Sequence, residues 1–129
     1  MVWVDFVTRF SESGGECRLT IKREEAYMDS FGLRSSSLIE FMAQAHAFIS
    51  ICENRKFPDR VAPKRTFLAA IRDASFVAEE ELKLIPVGSE LKIQTSGCRH
   101  IGPITLFSGQ VLTEDNRVLA SASFKVFVE

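Results

Sequence analysis

The chain has 129 residues, 46% of them hydrophobic, which suits a single globular domain spanning residues 1–129. Sixteen Lys and Arg against 17 Asp and Glu leave a net charge of −1, so no basic field exists to gather nucleic acid. Three scattered cysteines and two histidines argue against a disulfide or zinc framework, and no membrane-spanning run or leader pattern is present; the expectation is a cytoplasmic protein without metal or cofactor.

Val2 to Phe10 alternates, with Val2, Val4, Phe6 and Phe10 on one face and Trp3, Asp5, Val7 and Arg9 on the other, which predicts a strand. Gly14-Gly15 is expected to turn the chain into a second strand, where Cys17, Leu19 and Ile21 alternate with Arg18, Thr20 and Lys22. From Arg23 to Arg34 the periodicity disappears, as in a polar loop. Ser35 to Ser37 offer N-caps for a helix running to about Arg55. Arg55 and Lys56 suit its negative end, and Pro58 and Pro63 forbid continuation. Four further strands are expected at Thr66 to Phe76, Glu90 to Gly97, Ile104 to Thr113 and Arg117 to Val128. Turns at Pro86-Val87-Gly88, Ile101-Gly102-Pro103 and Glu114-Asp115-Asn116 separate the last of these. This order predicts an α+β fold in which a six-stranded antiparallel sheet curls over one long helix. The sheet edges stay open, so pairing with a second copy is expected.

The segment Leu38 to Ile51, LIEFMAQAHAFISI, is an almost wholly apolar helix that begins with a carboxylate, Glu40. A helix apolar on nearly every face must be wrapped by other structure, and an acid is seldom buried there without a partner. Ser37-Leu38-Ile39-Glu40 also fits an S-x-x-E capping box, so spacing alone leaves Glu40 as either a cap or a site residue. Gln44 is four residues on, on the same face; it either orients a carboxylate or carbonyl or is a buried structural amide.

LIEFMAQA, Leu38 to Ala45, resembles the E-x-M-A-Q central helix of the (3R)-hydroxyacyl-ACP dehydratases of fatty acid synthesis. FLAAIRDASF resembles the strand that follows it there, PVGSELKIQT the proline-glycine turn and next strand, and GPITLFSGQV and VLASASFKVFV the last two strands. The loop AYMDSFG is similar to that of the dehydratase-like proteins of aryl polyene clusters. The resemblance implies a hotdog fold and an acyl-ACP or acyl-CoA thioester substrate. It also implies a homodimer, or a heterodimer with a second hotdog protein. In the dehydratases a histidine of an H-F-P-G loop acts as base; the matching loop here, REEAYMDSFGLR, has none.

Dehydration needs a base for the α-proton, an acid for the departing hydroxyl, and donors for the thioester oxygen. The resemblance assigns Glu40 the role of general acid, with a pKa raised by an apolar channel, and Gln44 an orienting role. Helix N-terminal amides could supply the donors; Ser36, Ser37, Tyr27 and Phe41 are the expected substrate contacts. Asp29 is a candidate base or a turn former. His46 lies about 120° around the helix from Glu40 and about 9 Å along it, so a buried or interface position is expected; His100, beside a turn, is expected to be exposed. Lys56, Arg60, Lys64 and Arg65 form a basic cluster, either solvated charge or, at Lys64 and Arg65, a contact for phosphopantetheine or a carrier protein. Phenylalanines 41, 48, 67, 76, 107 and 124 serve as core or as acyl pocket. Three functions fit: a dehydratase-like subunit of fatty acid or polyene assembly, a thioesterase using Glu40, and a non-catalytic hotdog partner.

Overall fold

A computed structural model describes residues 2–23, 25, 27–29, 32–57 and 66–128. Six strands form one antiparallel sheet: β1 (Phe6–Ser11), β2 (Gly14–Thr20), β5 (Thr66–Phe76), β6 (Glu90–Ile101), β7 (Ile104–Thr113) and β8 (Val118–Val128). Their order across the sheet is β1-β2-β6-β7-β8-β5. The long helix α1 (Ser35–Asn54) packs on β1, β2, β6, β7 and β8. This is the expected hotdog arrangement of one long helix in a curled six-stranded sheet. The apolar alternation of β6, with Leu91 and Ile93 buried, is what turns that strand's inner face onto the helix.

Several local expectations are corrected. The first turn is made by Glu12-Ser13, and Gly14 and Gly15 lie within β2. Close backbone approach explains the two glycines: a Cβ on Gly14 would sit 2.1 Å from the Thr95 carbonyl oxygen, and one on Gly15 would sit 2.2 Å from that of Arg9. The loop before α1 holds a small two-stranded sheet, β3 (Met28–Asp29) and β4 (Gly32–Leu33), too short to leave a periodic signal. A one-turn helix, α2 (Glu79–Leu82), precedes β6, with Leu82 buried. β6 continues to Ile101 through a bulge between Ser96 and Arg99, where Gly97 has φ 63°.

On α1, Leu38, Phe41, Met42, Ala45 and Ile49 are buried, a stripe at helical spacing that faces the sheet. Gly109 of β7 gives the helix room: a Cβ there would come within 2.9 Å of Met42 Sδ. Trp3, Tyr27 and Phe41 meet edge to face with centroids 5.2 to 5.8 Å apart. Burying Phe41 contributes about 2–3 kcal/mol, and each aromatic edge contact roughly 0.5–1.5 kcal/mol. The described residues leave the opposite side of α1 uncovered; Glu40, Ala47 and Ile51 are exposed. Among the described residues no helix is long and apolar enough to cross a membrane.

Candidate functional site

The uncovered side of α1 forms one wall of an open cleft of about 1170 Å³. Glu40, Gln44, His46 and Ser50 line it from the helix, Cys98, His100, Thr105 and Phe107 from β6 and β7, and Thr66 and Leu68 from β5. Residues four apart on a helix share a face, which is why Glu40 and Gln44 reach the same space.

The helix begins earlier than a serine cap requires. Its N-cap is Arg34, in extended conformation at φ −86° and ψ 132°, and no side chain caps the first turn. Ser37 is therefore the third helical residue and Glu40 the sixth, so the capping box is not made and Glu40 lies in the second turn. Ser37 instead donates its backbone N–H to the Arg34 carbonyl at 3.2 Å. Freed from capping, the Glu40 side chain makes no hydrogen bond or ion pair with the described residues. It is exposed, so the burial expected at this position is not supplied by the described residues.

Gln44 has a structural duty. Its Oε1 accepts the backbone N–H of Trp3 at 2.9 Å and of Val4 at 3.4 Å, tying the N-terminal segment to the helix. Ser36 is exposed and Ser37 buried, both at the helix start and outside the cleft lining. Tyr27 and Phe41 are core residues, 1% and 0% exposed. The Tyr27 hydroxyl accepts the Lys22 N–H at 2.9 Å and donates to the Thr20 carbonyl at 3.4 Å, fixing the loop end. Asp29 is exposed on β3 and does not line the cleft. Lys64 and Arg65 lie outside the described residues. The structure thus brings Glu40 and Gln44 to one cleft and leaves Ser36, Ser37, Tyr27, Phe41 and Asp29 out of its lining.

Three cleft residues escaped sequence reasoning as a group. His46, 8% exposed, stacks on Phe107 with centroids 3.9 Å apart, and Phe107 stacks on Phe124. Burial, and secondarily the charge of His100, push its pKa down to about 4, so its ring is neutral near pH 7. His100 is exposed, and with Cys98 and His46 it lines the cleft. The signal for the hairpin pair was available: folding the strand about Gly102-Pro103 puts His100 opposite Thr105. Among the described residues no group of three or more His, Cys, Asp or Glu could hold a metal ion.

A model of the ApeP-like family, described as ApeP dehydratase, matches residues 1–129. No curated protein matches the chain. The chain is similar in structure to the dehydratase heterocomplex ApeI:P from Xenorhabdus doucetiae, with TM-score 0.79, 21% identity, and coverage of 99% of this chain and 83% of that one. It is also similar to smu.793 from Streptococcus mutans bound to acetyl CoA, with TM-score 0.70, 14% identity, and coverage of 100% and 92%. A hypothetical thioesterase with coenzyme A from Streptococcus pneumoniae matches at TM-score 0.69 and 11% identity, covering 96% of this chain and 84% of that one. At these identities the structural likenesses establish the hotdog fold. The family match over the full chain establishes more: this chain is a dehydratase-like hotdog protein and belongs to the ApeP-like dehydratase family.

Proposed function

We propose that this chain is one half of a hydroxyacyl thioester dehydratase, with Glu40 as its general acid and a second hotdog subunit supplying the base. The observation that carries this reading is an unpaired, exposed carboxylate on an open cleft, in a chain whose base-bearing loop has lost its histidine. The partner's base would take the α-proton of a 3-hydroxyacyl thioester while Glu40 gives a proton to the departing hydroxyl, releasing water and leaving the enoyl thioester. A second subunit over the cleft would exclude water from it, the setting in which a carboxylic acid serves as a general acid. Gln44 positions the site by holding Trp3 and Val4 against the helix.

The exposed apolar residues of β5, Phe67, Leu68, Ile71 and Phe76, support a second hotdog chain at that edge. The ApeI:P neighbour is itself a dehydratase heterocomplex, and two other neighbours hold coenzyme A or acetyl CoA. Acyl-ACP or acyl-CoA in the assembly of a fatty acid or polyene chain, in the cytoplasm, is the corresponding substrate and setting, with Lys64 and Arg65 as the carrier contact. A thioesterase reading draws on the same lone carboxylate, acting on water or on the carbonyl.

Product analysis separates these. A 3-hydroxyacyl thioester is incubated with the chain alone and with a histidine-bearing hotdog partner. Water loss in the mixture only is the expected result. Release of free acid by the chain alone would replace the dehydratase reading with the thioesterase one.

A further inference from the structure

The β6–β7 hairpin carries a second set of reactive groups on the cleft. Ile101 pairs with Ile104 around the Gly102-Pro103 turn, so His100 stands directly opposite Thr105. His100 Nδ1 lies 2.8 Å from Thr105 Oγ1, and Thr105 is 2% exposed. When Nδ1 carries the proton and donates it to that hydroxyl oxygen, Nε2 keeps its lone pair. Nε2 faces Cys98 Sγ at 4.0 Å. Two residues apart on a strand, the thiol and the imidazole share a face. The bulge between Ser96 and Arg99, and a hydrogen bond from the Cys98 N–H to the Ser13 carbonyl at 3.0 Å, hold the cysteine's backbone in place. Nucleophile, base and orienting group are thus arranged in series, all three on the cleft that Glu40 lines.

The other cysteines contrast with this. Cys17 is fully buried, its thiol lies 3.9 Å from the Ala45 carbonyl, and burial pushes its pKa up to about 12. Cys98 is half-buried, and that burial raises its thiol too, so it rests protonated and depends on a neighbouring base for reaction.

We propose that Cys98 is a nucleophile activated by His100 and accepts the acyl group of a thioester bound in the cleft. The inference rests on the acyl thioester reading above and adds a second reaction to it. Cys98 Sγ attacks the thioester carbonyl as His100 Nε2 takes the thiol proton. The carbonyl carbon's bond to the carrier sulfur breaks, and that sulfur receives the proton from Nε2. One thioester is exchanged for another, with no oxidant or reductant. A free carrier thiol then takes the acyl group back by the reverse exchange, restoring the Cys98 thiol with no release of free acid. Thr105 acts as a positioning residue by fixing the imidazole.

Two probes test the proposal independently. Iodoacetamide, read by peptide mass spectrometry, reports activation without any thioester. Cys98 should be labelled ahead of Cys52, and His100→Gln should slow that labelling roughly 100-fold. Thr105→Val should also slow it, and Thr105→Ser should restore it, which a merely structural threonine would not do. Octanoyl-CoA, followed by rapid acid quench, should leave an octanoyl group on Cys98 that disappears in Cys98→Ala. Labelling of Cys98 at the rate of Cys52, unchanged in His100→Gln and Thr105→Val, overturns the activation. Activated labelling with no octanoyl adduct overturns the acyl transfer. The dehydration reading is tested separately, by water loss from a 3-hydroxyacyl thioester in Cys98→Ala with the partner present.

Discussion

β2 and β5 lie in the same sheet and meet opposite fates. In β2 the helix covers the inner face, and Cys17 and Leu19 are fully buried. β5, at the far edge beside β8, is exposed at every position except Ala70, which is half-buried. Yet β5 is no more polar than β2: Phe67 and Leu68 are each 49% exposed. An edge strand left with that much apolar surface calls for a cover that the described residues do not supply. The same asymmetry runs through α1, whose Phe41 side is sealed and whose Glu40 side is open. The sealed half makes the fold, and the open half carries the proposed site.

Substitutions in the two halves should therefore separate stability from assembly. Phe41→Ala, in the sealed half, should cost about 3–5 kcal/mol in urea unfolding, enough to threaten folding. A loss below about 1 kcal/mol would mean the aromatic cluster is not tightly packed. Next comes acid. The folded pKa of His46, about 4, lies below its ordinary 6.5, so the unfolded chain binds more proton between those values. Its contribution is fully present above about pH 6.5 and is lost as pH falls toward 4. Between pH 7 and pH 5 that loss is about 2 kcal/mol. His46→Leu should show a correspondingly shallower fall in the urea midpoint over this interval.

Gln44→Leu leaves the Trp3 and Val4 amides without their acceptor and should cost about 1–2 kcal/mol. In the open half, Leu68→Arg should change the stability of the isolated chain by no more than about 0.5 kcal/mol. The same variant should fail to join a second hotdog subunit in size-exclusion chromatography with light scattering. Normal assembly would remove β5 from the interface.

The sequence revealed this sealed half more readily than the open one. Alternation at Leu91 and Ile93, and the stripe through Phe41, Ala45 and Ile49, are direct marks of faces buried within the chain. Gly14-Gly15 misled because glycine serves turns and close strand approach equally, and only the paired strand, through Thr95, tells them apart. β3 and β4, with two residues each, are below the length at which alternation can register. The S-x-x-E pattern failed because Arg34 adopts the extended cap position, starting the helix before its serines. At the cleft, Glu40 and Gln44 could be paired from helical spacing. Cys98, His100 and Thr105 come together only when the Gly102-Pro103 turn is used to set the strand register, since five residues and a turn separate the histidine from its hydroxyl partner.

In the proposed reaction Glu40 protonates the leaving hydroxyl in a site completed by another subunit. This role is tested most directly by Glu40→Gln in the assembled pair, because glutamine keeps the shape and removes the acid. The expected result is an intact complex by native mass spectrometry, with water loss from a 3-hydroxyacyl thioester slowed roughly 100-fold or more. An intact complex that dehydrates at the full rate would contradict it, and would leave Glu40 as a surface residue of a supporting subunit.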